Sequence, residues 1–277
     1  MKPTILVVNG ERDWGEWFAR VGDVAVERRT LQSTSWLLRD GALRVYDADG
    51  VVCPDAILWR VGAIRMIPRY RSVVELMRLA DVPAVNSGDC IGRCFDRLGC
   101  AAEMKAAGLP IVLPNAAVGD GIVAKIAMPA PFVVKAGNHH AGLGKTLVDD
   151  DARWPELAGL LFAVDDAIAA EPYVPHVRDI RCLIVGDDIW AMVREGRGWR
   201  ANVDTRKHAL IDPPARLAAW TRRARDHLRA DVLGLDFLER ADGSHVLLEC
   251  NDSPGLSGFP EQVRLQVAES MLRRLRS

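Results

Sequence analysis

The sequence lacks an excess of charge of either sign, because its 277 residues include 36 basic and 37 acidic side chains and the formal net charge is −1. This balance predicts neither a nucleic-acid partner nor a membrane-surface partner. Long apolar runs are missing as well. The N-terminal stretch TILVVNG holds only four consecutive apolar residues, which predicts no signal peptide, and no window is apolar enough to predict a membrane span.

A Cys-x-x-Cys motif is also absent. The six cysteines form no Cys-x-x-Cys pair, and most of them lie within apolar patterns. We therefore expect reduced thiols in a cytoplasmic protein. A metal site formed by Cys90, Cys94 and Cys100 is the alternative.

What the chain does contain is an alternation of strand-like and helical patterns, which is typical of an α/β protein. The runs TILVVNG and AILWRVG, the helical pattern RYRSVVELMRLA and the strand-like VPAVNS predict a small α/β domain over residues 1–87. Ser87 is predicted to cap one helix that continues through GDCIGRCFDRLGCAAEMKAAG and ends at Gly108. Further along, strand-like runs precede two more helices, at about 214–231 and 260–276.

The stretch LGLDFLERADGSHVLLECNDSPG contains the strongest local signal, because two apolar runs flank Asp242-Gly243. Asp-Gly between two β-like runs predicts a hairpin with a two-residue type I′ turn. That turn pairs Leu238 with Leu247 and places Asp236 directly opposite Glu249. The predicted core face of the hairpin holds Leu235, Phe237, Leu248 and Cys250.

The two opposed carboxylates indicate a bound cation. Cβ atoms of directly opposed residues lie about 5 Å apart, so Asp236 and Glu249 would repel each other unless a positive charge lies between them. Asn251 is two residues further along, on the same face as Glu249. Three oxygen donors without His or Cys favour Mg²⁺, which usually also holds phosphates. The alternative is an exposed hairpin whose polar face meets water, since a register slip of one residue would separate the pair.

A glycine-rich loop between two β-like runs, FVVKAGNHHAGLGKTLV, forms a second candidate site. Its glycines can turn successive backbone N–H groups towards one anion, and they are Gly137, Gly142 and Gly144. Lys135 ends the first run and could reach a phosphate. The triplet GKT is not part of a P-loop, because the first glycine of that motif would fall at His139 and the run continues as strand. A mobile hairpin loop is the alternative, and His139 and His140 are left unassigned.

Between these two segments lies a group of cations beside one carboxylate, namely Asp179, Arg181, Arg194, Arg197 and Arg200. Near a polyphosphate, arginines offer fixed bidentate donors. Without a polyphosphate they would be surface charge.

Taken together, these segments resemble ATP-grasp enzymes of the RimK-like and synapsin-like branch. The resemblance extends from VPAVNSGDCIGRCFDRLG to LLECNDSPGLSGF and is most specific in DIRCLIVG, GLDFLE and LLECNDSPGLSG. It implies an α/β (α+β) ATP-grasp fold with three parts. These are an N-terminal pre-ATP-grasp, Rossmann-like domain (1–87), a central subdomain with the glycine-rich loop (88–170) and a C-terminal subdomain with the magnesium site (171–277).

The resemblance also implies roles for individual residues. The nucleotide would be bound by Lys135, Gly137, Gly142, Gly144, Lys145, Glu171, Tyr173, Val174, Asp179 and Arg181. In this set the segment 171–174 would contact the adenine, and Asp179 would lie near the ribose. Catalysis at the transferred phosphate and its acceptor would involve Arg200, Asn202 and Lys135. Asp236, Glu249 and Asn251 would hold two Mg²⁺ ions, with Mn²⁺ as a substitute.

Two departures affect this assignment. Arg97 stands where the family often has Lys, and VDTRKHA follows WRAN in place of a glycine-rich continuation. The first concerns a phosphate contact and the second concerns the acceptor site. Because the chain is compact at 277 residues, we expect no large substrate-binding insertions.

The implied activity is that of an ATP-dependent carboxylate–amine (or carboxylate–thiol) ligase. A small-molecule or peptide carboxylate would attack the γ-phosphate of ATP, giving an acylphosphate and ADP, and an amine would then displace phosphate. A homodimer or a higher homo-oligomer is compatible with this activity. The alternatives are a synapsin-like ATP-binding regulatory protein without turnover and an ATP-grasp kinase, and the sequence identifies neither substrate.

Overall fold

The structure is a computed structural model that describes residues 2–62, 66–119, 121–138, 143–163, 165, 167–196 and 205–276. In the N-terminal part the elements are β1 (Thr4–Val8), α1 (Trp14–Ala19), β2 (Ala25–Arg29), β3 (Ser35–Arg39), β4 (Ala42–Asp47), β5 (Gly50–Val52), β6 (Ala56–Trp59), α2 (Pro68–Leu79) and β7 (Ala84–Val85). A parallel sheet has the order β2-β1-β6-β7, and β3, β4 and β5 form a separate antiparallel sheet.

The parallel sheet is covered on both faces, as its apolar strands require. Alternate residues of β1 point to opposite sides, so Ile5 and Val7 belong to one core and Leu6 and Val8 to another. The second core includes α2. The first includes the C-terminal helix, whose bounds are given below, so the N-terminal sheet buries one face against residues from the other end of the chain.

The helix that the sequence predicts from Ser87 to Gly108 is two helices, α3 (Gly88–Arg93) and α4 (Arg97–Ala106). Ser87 caps α3, since its Oγ accepts a hydrogen bond from the N–H of Cys90 at 3.3 Å. Asp96 caps α4 in the same way, accepting from the N–H of Gly99 at 2.6 Å. The prediction of one continuous helix was therefore wrong, because a second N-cap residue lies inside the apolar pattern.

Two further sheets make up the remainder of the chain. Their elements are β8 (Asn115–Val118), β9 (Phe132–Ala136), β10 (Lys145–Val148), α5 (Trp154–Phe162), β11 (Ala167–Pro172), β12 (Arg178–Val185), β13 (Asp188–Gly196), β14 (Thr205–Ile211), α6 (Ala215–Leu228), β15 (Val232–Glu239), β16 (His245–Asn251) and α7 (Glu261–Arg276). The central sheet has the order β10-β9-β11-β8, and the C-terminal sheet has the order β14-β13-β12-β15-β16. Strand β11 crosses the predicted division at 170/171, which stays a prediction. None of the helices in the described part of the chain combines the length and apolar composition that a membrane crossing requires.

Candidate active site

The hairpin predicted around Asp242-Gly243 is present as β15 and β16, but its turn is longer than predicted. The backbone N–H of Arg240 donates to the carbonyl of Ser244 at 2.8 Å, and the N–H of Gly243 donates to the carbonyl of Arg240 at 3.0 Å. The loop therefore has three residues, with Gly243 in the left-handed region at φ +76°. The predicted two-residue turn was wrong.

The longer turn shifts the pairing of the residues beside it. Leu238 faces Val246, whereas the two-residue turn predicted that it would face Leu247. A β-bulge after Asp236 then restores the predicted register, so Asp236 faces Glu249 as expected. The longer turn and the bulge therefore offset each other, and Asp236 and Glu249 keep the predicted pairing.

The bulge also changes which side chains face the core. Leu248 is the extra residue, and it lines the pocket described below instead of joining the core as predicted. Leu247 takes the core position beside Phe237, and both are fully buried. Asn251 faces Gly234, as the sequence predicted.

A pocket opens between the central sheet and the C-terminal sheet. Its lining comes from β9, β10 and β11, from β12 and β13, from β16 with the loop that follows it, and from the segment around the start of α4. The charged side chains that line it are Asp96, Arg97, Lys135, Lys145, Glu171, Arg181, Arg194, Glu249 and Asp252. Side chains predicted from separate segments of the sequence therefore meet at one place.

On the central-sheet side, two lysines each contact one carboxylate. The Nζ atom of Lys135 lies 2.5 Å from Oε2 of Glu171, and both side chains are buried. The Nζ atom of Lys145 lies 3.0 Å from Oε2 of Glu249. Burial lowers the pKa of Lys135, and the charge of Glu171 opposes that effect.

On the C-terminal-sheet side, arginines hold the buried aspartates. Arg181 donates from Nε and Nη2 to the two carboxylate oxygens of Asp236, at 2.7 and 2.8 Å. Arg194 donates from Nε to Oδ1 of Asp179 at 3.0 Å and lies 3.2 Å from Oδ1 of Asp236. Both aspartates are buried, so these contacts satisfy groups that water cannot reach.

The positive charge that the opposed carboxylates require is present in the chain itself. Arg181 neutralises Asp236, and Lys145 neutralises Glu249. Burial would raise the pKa of Glu249, but the charges of Lys145, Lys135 and Arg97 outweigh it and hold that pKa well below its ordinary value. The expected positive charge is therefore supplied by side chains of the chain, and the binding of Mg²⁺ between the two carboxylates stays a prediction.

The same residues still fit a hard cation. Glu249 and Asn251 both line the pocket, and they offer carboxylate and amide oxygens, the ligand types that Mg²⁺ prefers. Asp236 is 1% exposed and would have to exchange an arginine contact for the metal. Within the described residues no three His, Cys, Asp or Glu side chains converge on a metal position, and this excludes the alternative site of Cys90, Cys94 and Cys100 there.

The other predicted nucleotide-binding residues occupy several positions. Gly137 and Gly144 lie at the two ends of the glycine loop, with φ +57° and +66°. Asp179 is buried beneath Arg194, and Val174 is buried as well. Tyr173 packs against His176, and neither Tyr173 nor Val174 is among the described residues that line the pocket. Outside the described residues lie Gly142, His139, His140, Arg197, Arg200 and Asn202.

Several pocket residues were not predicted. Asp252 follows Asn251, and burial raises its pKa to about 7, with the neighbouring Cys100 thiol acting in the same direction. Arg97, noted from the sequence only as a departure, donates its backbone N–H to Oδ1 of Asn138 at 3.0 Å beside the glycine loop. The pocket thiols are Cys94, Cys100 and Cys250, and all six cysteines are free, as predicted. Asp252 and Cys250 stand inside the stretch that carries the metal-binding signal, but no local pattern assigns them a role.

The fold of this chain is similar to the folds of ATP-grasp ligases. The RimK domain protein ATP-grasp from Sphaerobacter thermophilus has a TM-score of 0.73 and 19% identity, with coverage of 97% of this chain and 98% of that one. D-alanyl-alanine synthetase A from Vibrio cholerae has a TM-score of 0.73 and 11% identity, with coverage of 99% and 98%. At these identities the likeness concerns the fold.

The sequence gives the family. Residues 114–275 match the model of the RimK-like ATP-grasp domain, so the chain belongs to that family. Ribosomal protein bS6–L-glutamate ligase from Escherichia fergusonii is 27% identical over 231 residues, which cover 79% of this chain and 75% of that protein. The chain is an ATP-dependent carboxylate–amine ligase that forms ADP and uses a divalent metal, and the predicted fold and activity are confirmed.

Proposed function

We propose that the phosphates of ATP bind between Lys135 and Lys145, with the nucleotide lying between the central and C-terminal sheets. The contact between Lys145 and Glu249 carries this proposal, because it joins the glycine loop to the strand with the predicted metal ligands. Among the described residues, each lysine contacts one carboxylate, which phosphate oxygens can replace. Backbone N–H groups near Gly137 and Gly144 would bind the same anion.

The metal ligands would be Glu249, Asn251 and Asp236. These side chains supply carboxylate and amide oxygens, which favour Mg²⁺, and two ions would suit a polyphosphate that spans the hairpin. When bound there, Mg²⁺ neutralises phosphate charge. Arg181 would keep the Asp236 carboxylate oriented towards Glu249 before the metal arrives.

In the proposed reaction a small-molecule or peptide carboxylate attacks the γ-phosphorus of ATP, which gives an acylphosphate and ADP. An amine then attacks the acyl carbon, phosphate leaves, and the nitrogen loses a proton to form the amide. The chain positions the reactants and stabilises the negative charge with Lys135, Lys145 and nearby arginines, so no side-chain nucleophile is needed. Arg200 and Asn202 remain predictions for the transferred phosphate and its acceptor.

The nucleotide would occupy the boundary between the second and third predicted parts of the chain. Segment 171–174, which includes Glu171 and Tyr173, would contact the adenine, and Asp179 would lie near the ribose. The position of Glu171 in the pocket lining supports this placement of the segment. The proposed parts of the chain remain 1–87, 88–170 and 171–277, with the nucleotide between the second and the third.

The amine substrate would be an amino acid. The relative described above is named for joining L-glutamate to a ribosomal protein, and the pocket of this chain holds both cations and carboxylates, which suit a zwitterion. The carboxylate substrate would then be a small acid or a peptide.

A coupled measurement tests the proposal. Purified protein with Mg-ATP is screened for ADP release against the twenty amino acids in the presence of acidic peptides and small carboxylic acids. Addition of hydroxylamine without an amine substrate should trap the acylphosphate as a hydroxamate. ADP release without hydroxamate and without amide would indicate phosphate transfer to another acceptor and would contradict the ligase mechanism.

A further inference from the structure

Three thiols meet at the pocket, and the proposed ligase reaction uses none of them. Cys94 is the residue that ends α3, Cys100 belongs to α4 and Cys250 belongs to β16, and all three line the pocket. Their side chains lie within hydrogen-bonding reach of one another. The Sγ atom of Cys100 also donates to the carbonyl oxygen of Cys250 at 3.4 Å. Three free thiols in mutual contact form a candidate site of covalent modification.

The thiols connect two parts of the proposed ATP site. Cys250 lies between Glu249 and Asn251, which are proposed as metal ligands. Cys100 lies about one helical turn after Arg97, whose backbone N–H donates to Asn138 beside the glycine loop. Helix α4 packs against β16. A covalent bond between Cys100 and Cys250 would therefore join the helix beside the glycine loop to the strand that carries the metal ligands.

The three thiols differ in how readily they ionise. Hydrogen bonds from Cys100 and Cys250 lower the pKa of Cys94, but its contact with Cys90 and its burial outweigh them, so that pKa is raised. For Cys100 a hydrogen bond from Cys250 lowers the pKa, yet the contact with Cys94 and burial hold it well above its ordinary value. The contacts of Cys250 with Cys100 and Cys94, together with burial, raise its pKa well above the ordinary value. Both neighbours thus stabilise negative charge on Cys94.

Cys94 is also the more accessible thiol of the pair on the helices, since it is half-buried whereas Cys100 is buried. The thiolate, and not the thiol, is the nucleophile in the reactions of cysteine. Cys94 should therefore be the first of the three to react with an oxidant that enters the pocket. Because its pKa is raised, few thiolates are present at neutral pH, and the reaction should need sustained exposure to the oxidant.

Resting on the proposed function, we infer that Cys94, Cys100 and Cys250 form a site of reversible oxidation by a hydroperoxide. The product is a disulfide between Cys100 and Cys250, and it weakens the binding of Mg-ATP. Cys94 receives the oxidising equivalent and passes it to the other two thiols. None of the three takes part in phosphate transfer.

The chemistry balances in three steps. The thiolate of Cys94 attacks one oxygen of the hydroperoxide, the O–O bond breaks, an alcohol or water leaves, and Cys94 becomes a sulfenic acid. The sulfur of Cys100 then attacks the sulfur of Cys94, the S–O bond breaks, and water leaves with the proton of Cys100. The sulfur of Cys250 finally attacks that of Cys100, and Cys94 leaves and takes the proton of Cys250. Two sulfur atoms are oxidised and two peroxide oxygens are reduced.

The position of Cys94 in this sequence agrees with its environment. In thiol–disulfide exchange a thiol of lower pKa leaves faster, and the contacts with Cys100 and Cys250 stabilise Cys94 as the leaving thiolate. The disulfide therefore ends on the two thiols whose pKa values are raised most.

The disulfide should disturb the metal ligands on either side of Cys250. Bonded sulfur atoms lie about 2.05 Å apart, so the bond draws α4 and β16 together and removes the hydrogen bond from Cys100 to the Cys250 carbonyl. Mg²⁺ requires nearly ideal geometry, with ligands at about 2.0–2.1 Å, and a displaced Glu249 or Asn251 cannot meet it. We expect Mg-ATP to bind about ten- to a hundred-fold more weakly, as the loss of groups that orient metal ligands predicts.

Mapping of the cross-link and nucleotide binding test the assignment separately. Reduced wild-type protein is treated with hydrogen peroxide, with and without Mg²⁺ and a non-hydrolysable ATP analogue, and the remaining thiols are alkylated before peptide mass spectrometry. We expect a Cys100–Cys250 cross-link that the analogue suppresses, because coupling between two sites is reciprocal. Calorimetry should show the loss of affinity for the analogue after oxidation. Dithiothreitol should restore the affinity, whereas it does not repair methionine sulfoxide.

Two variants and a control assign the roles of the thiols. Cys250→Ala should bind the analogue equally before and after peroxide, because no bond can then join α4 to β16. Cys94→Ala should form the Cys100–Cys250 cross-link more slowly than wild-type protein. The control is Cys53→Ala, which removes an exposed thiol outside the pocket lining and should form the cross-link as wild-type protein does.

The outcomes separate this site from the proposed ATP site. If the analogue does not bind reduced wild-type protein, the ATP site is wrong, while the cross-link still reports on the thiols. If peroxide leaves Cys100 and Cys250 as thiols, or if the cross-linked protein binds the analogue as tightly as the reduced protein, the assignment of the thiols is wrong. If Cys250→Ala does not fold, wild-type protein decides, because an affinity that dithiothreitol does not restore would overturn the assignment.

Discussion

The two sheets that enclose the pocket hold their charges in different ways. In the C-terminal sheet Arg181 binds both oxygens of Asp236, and Arg194 contacts both Asp179 and Asp236. These contacts are bidentate or shared, and the aspartates are buried. The arrangement is a connected network, so the removal of one member leaves the others without compensation.

In the central sheet, Lys135 and Lys145 each contact one carboxylate within the part of the chain that the structure describes. Lys135 reaches Glu171 on the neighbouring strand β11, and Lys145 reaches across the pocket to Glu249. A lysine ammonium is a compact charge on a flexible stem, so it can leave one oxygen for another at little geometric cost. The pocket thus has a fixed side, formed by Arg181 and Arg194, which orients the predicted metal ligands. It also has an adjustable side, formed by Lys135 and Lys145, whose ammonium groups can move from carboxylate to phosphate.

The largest effect should follow from breaking the fixed side. Arg194→Met leaves the buried Asp179 carboxylate unpaired and should lower the free energy of unfolding by about 3–5 kcal/mol without any ligand. Urea denaturation measures this loss. The control is Arg178→Met on the neighbouring strand β12, because Arg178 pairs with Glu239 but is 48% exposed, and exposed pairs contribute less than about 1 kcal/mol. Equal losses in the two variants would contradict the distinction between a buried network and a surface pair.

A substitution on the adjustable side should lower the affinity for ATP more than it lowers the free energy of unfolding. Lys145→Met removes one proposed phosphate contact, so Mg-ATP should bind about ten- to a hundred-fold more weakly. Calorimetric titration with Mg-ATP measures the change, and the free energy of unfolding without nucleotide should fall less than in Arg194→Met. Lys207→Met is the control, since Lys207 is an exposed lysine on β14. If nucleotide affinity is unchanged, Lys145 pairs with Glu249 for structural reasons alone.

The position of the adjustable side depends on one glycine. Gly137 has φ +57°, and a Cβ atom there would lie 2.1 Å from Oδ2 of Asp165. Gly137→Ala should therefore destabilise the protein by about 1–2 kcal/mol from the left-handed conformation, with a further loss from the contact. In the control Gly15→Ala, on an exposed position of α1 with no atom within 4 Å, stability should stay equal or rise slightly. Thermal unfolding of both variants makes the comparison, and similar melting temperatures would argue against a strained loop.

Local patterns predicted most of the elements that build the pocket, but they missed features that depend on pairing. The Asp242-Gly243 signal located the hairpin, yet its two-residue turn is found at Asp40-Gly41, where both residues have positive φ and Arg39 pairs with Ala42. The same dipeptide therefore forms different turns, because the strands on either side decide the loop length. The sheet of β3, β4 and β5 was not predicted, although Asp40-Gly41 carries the signal that could have found it.

A contact within the site could be predicted from the sequence only where a short segment of chain connects the two residues. Asp236 and Glu249 could be paired because one turn connects them. The contacts of Arg181 with Asp236 and of Lys145 with Glu249 join strands that pair or approach only in the folded chain. The contact of Cys100 with Cys250 carries no sequence signal at all, since the two residues lie 150 positions apart.

The smallest expected effect concerns the contact between Glu249 on the fixed side and Lys145 on the adjustable side. Glu249 faces Lys145, Lys135 and Arg97, and these charges outweigh the effect of burial and hold its pKa well below the ordinary value. The charged carboxylate therefore stabilises the folded protein even without metal, and Glu249→Gln should lower the free energy of unfolding by about 1 kcal/mol at neutral pH. This result would differ from that of two repelling carboxylates, for which the amide would leave stability equal or higher.

The pH dependence of that difference follows from linkage. A carboxyl group with a depressed pKa in the folded state contributes its full stabilisation above the unfolded value of about 4.3 and loses it as the pH falls through the folded value. The difference between wild-type and Glu249→Gln protein should thus be constant from pH 7 to about 5 and should shrink below about pH 4.3. Urea denaturation at a series of pH values measures it, with the exposed Glu269→Gln on α7 as the control. A difference that grows as the pH falls would mean that repulsion from Asp236, and not attraction to the lysines, governs Glu249.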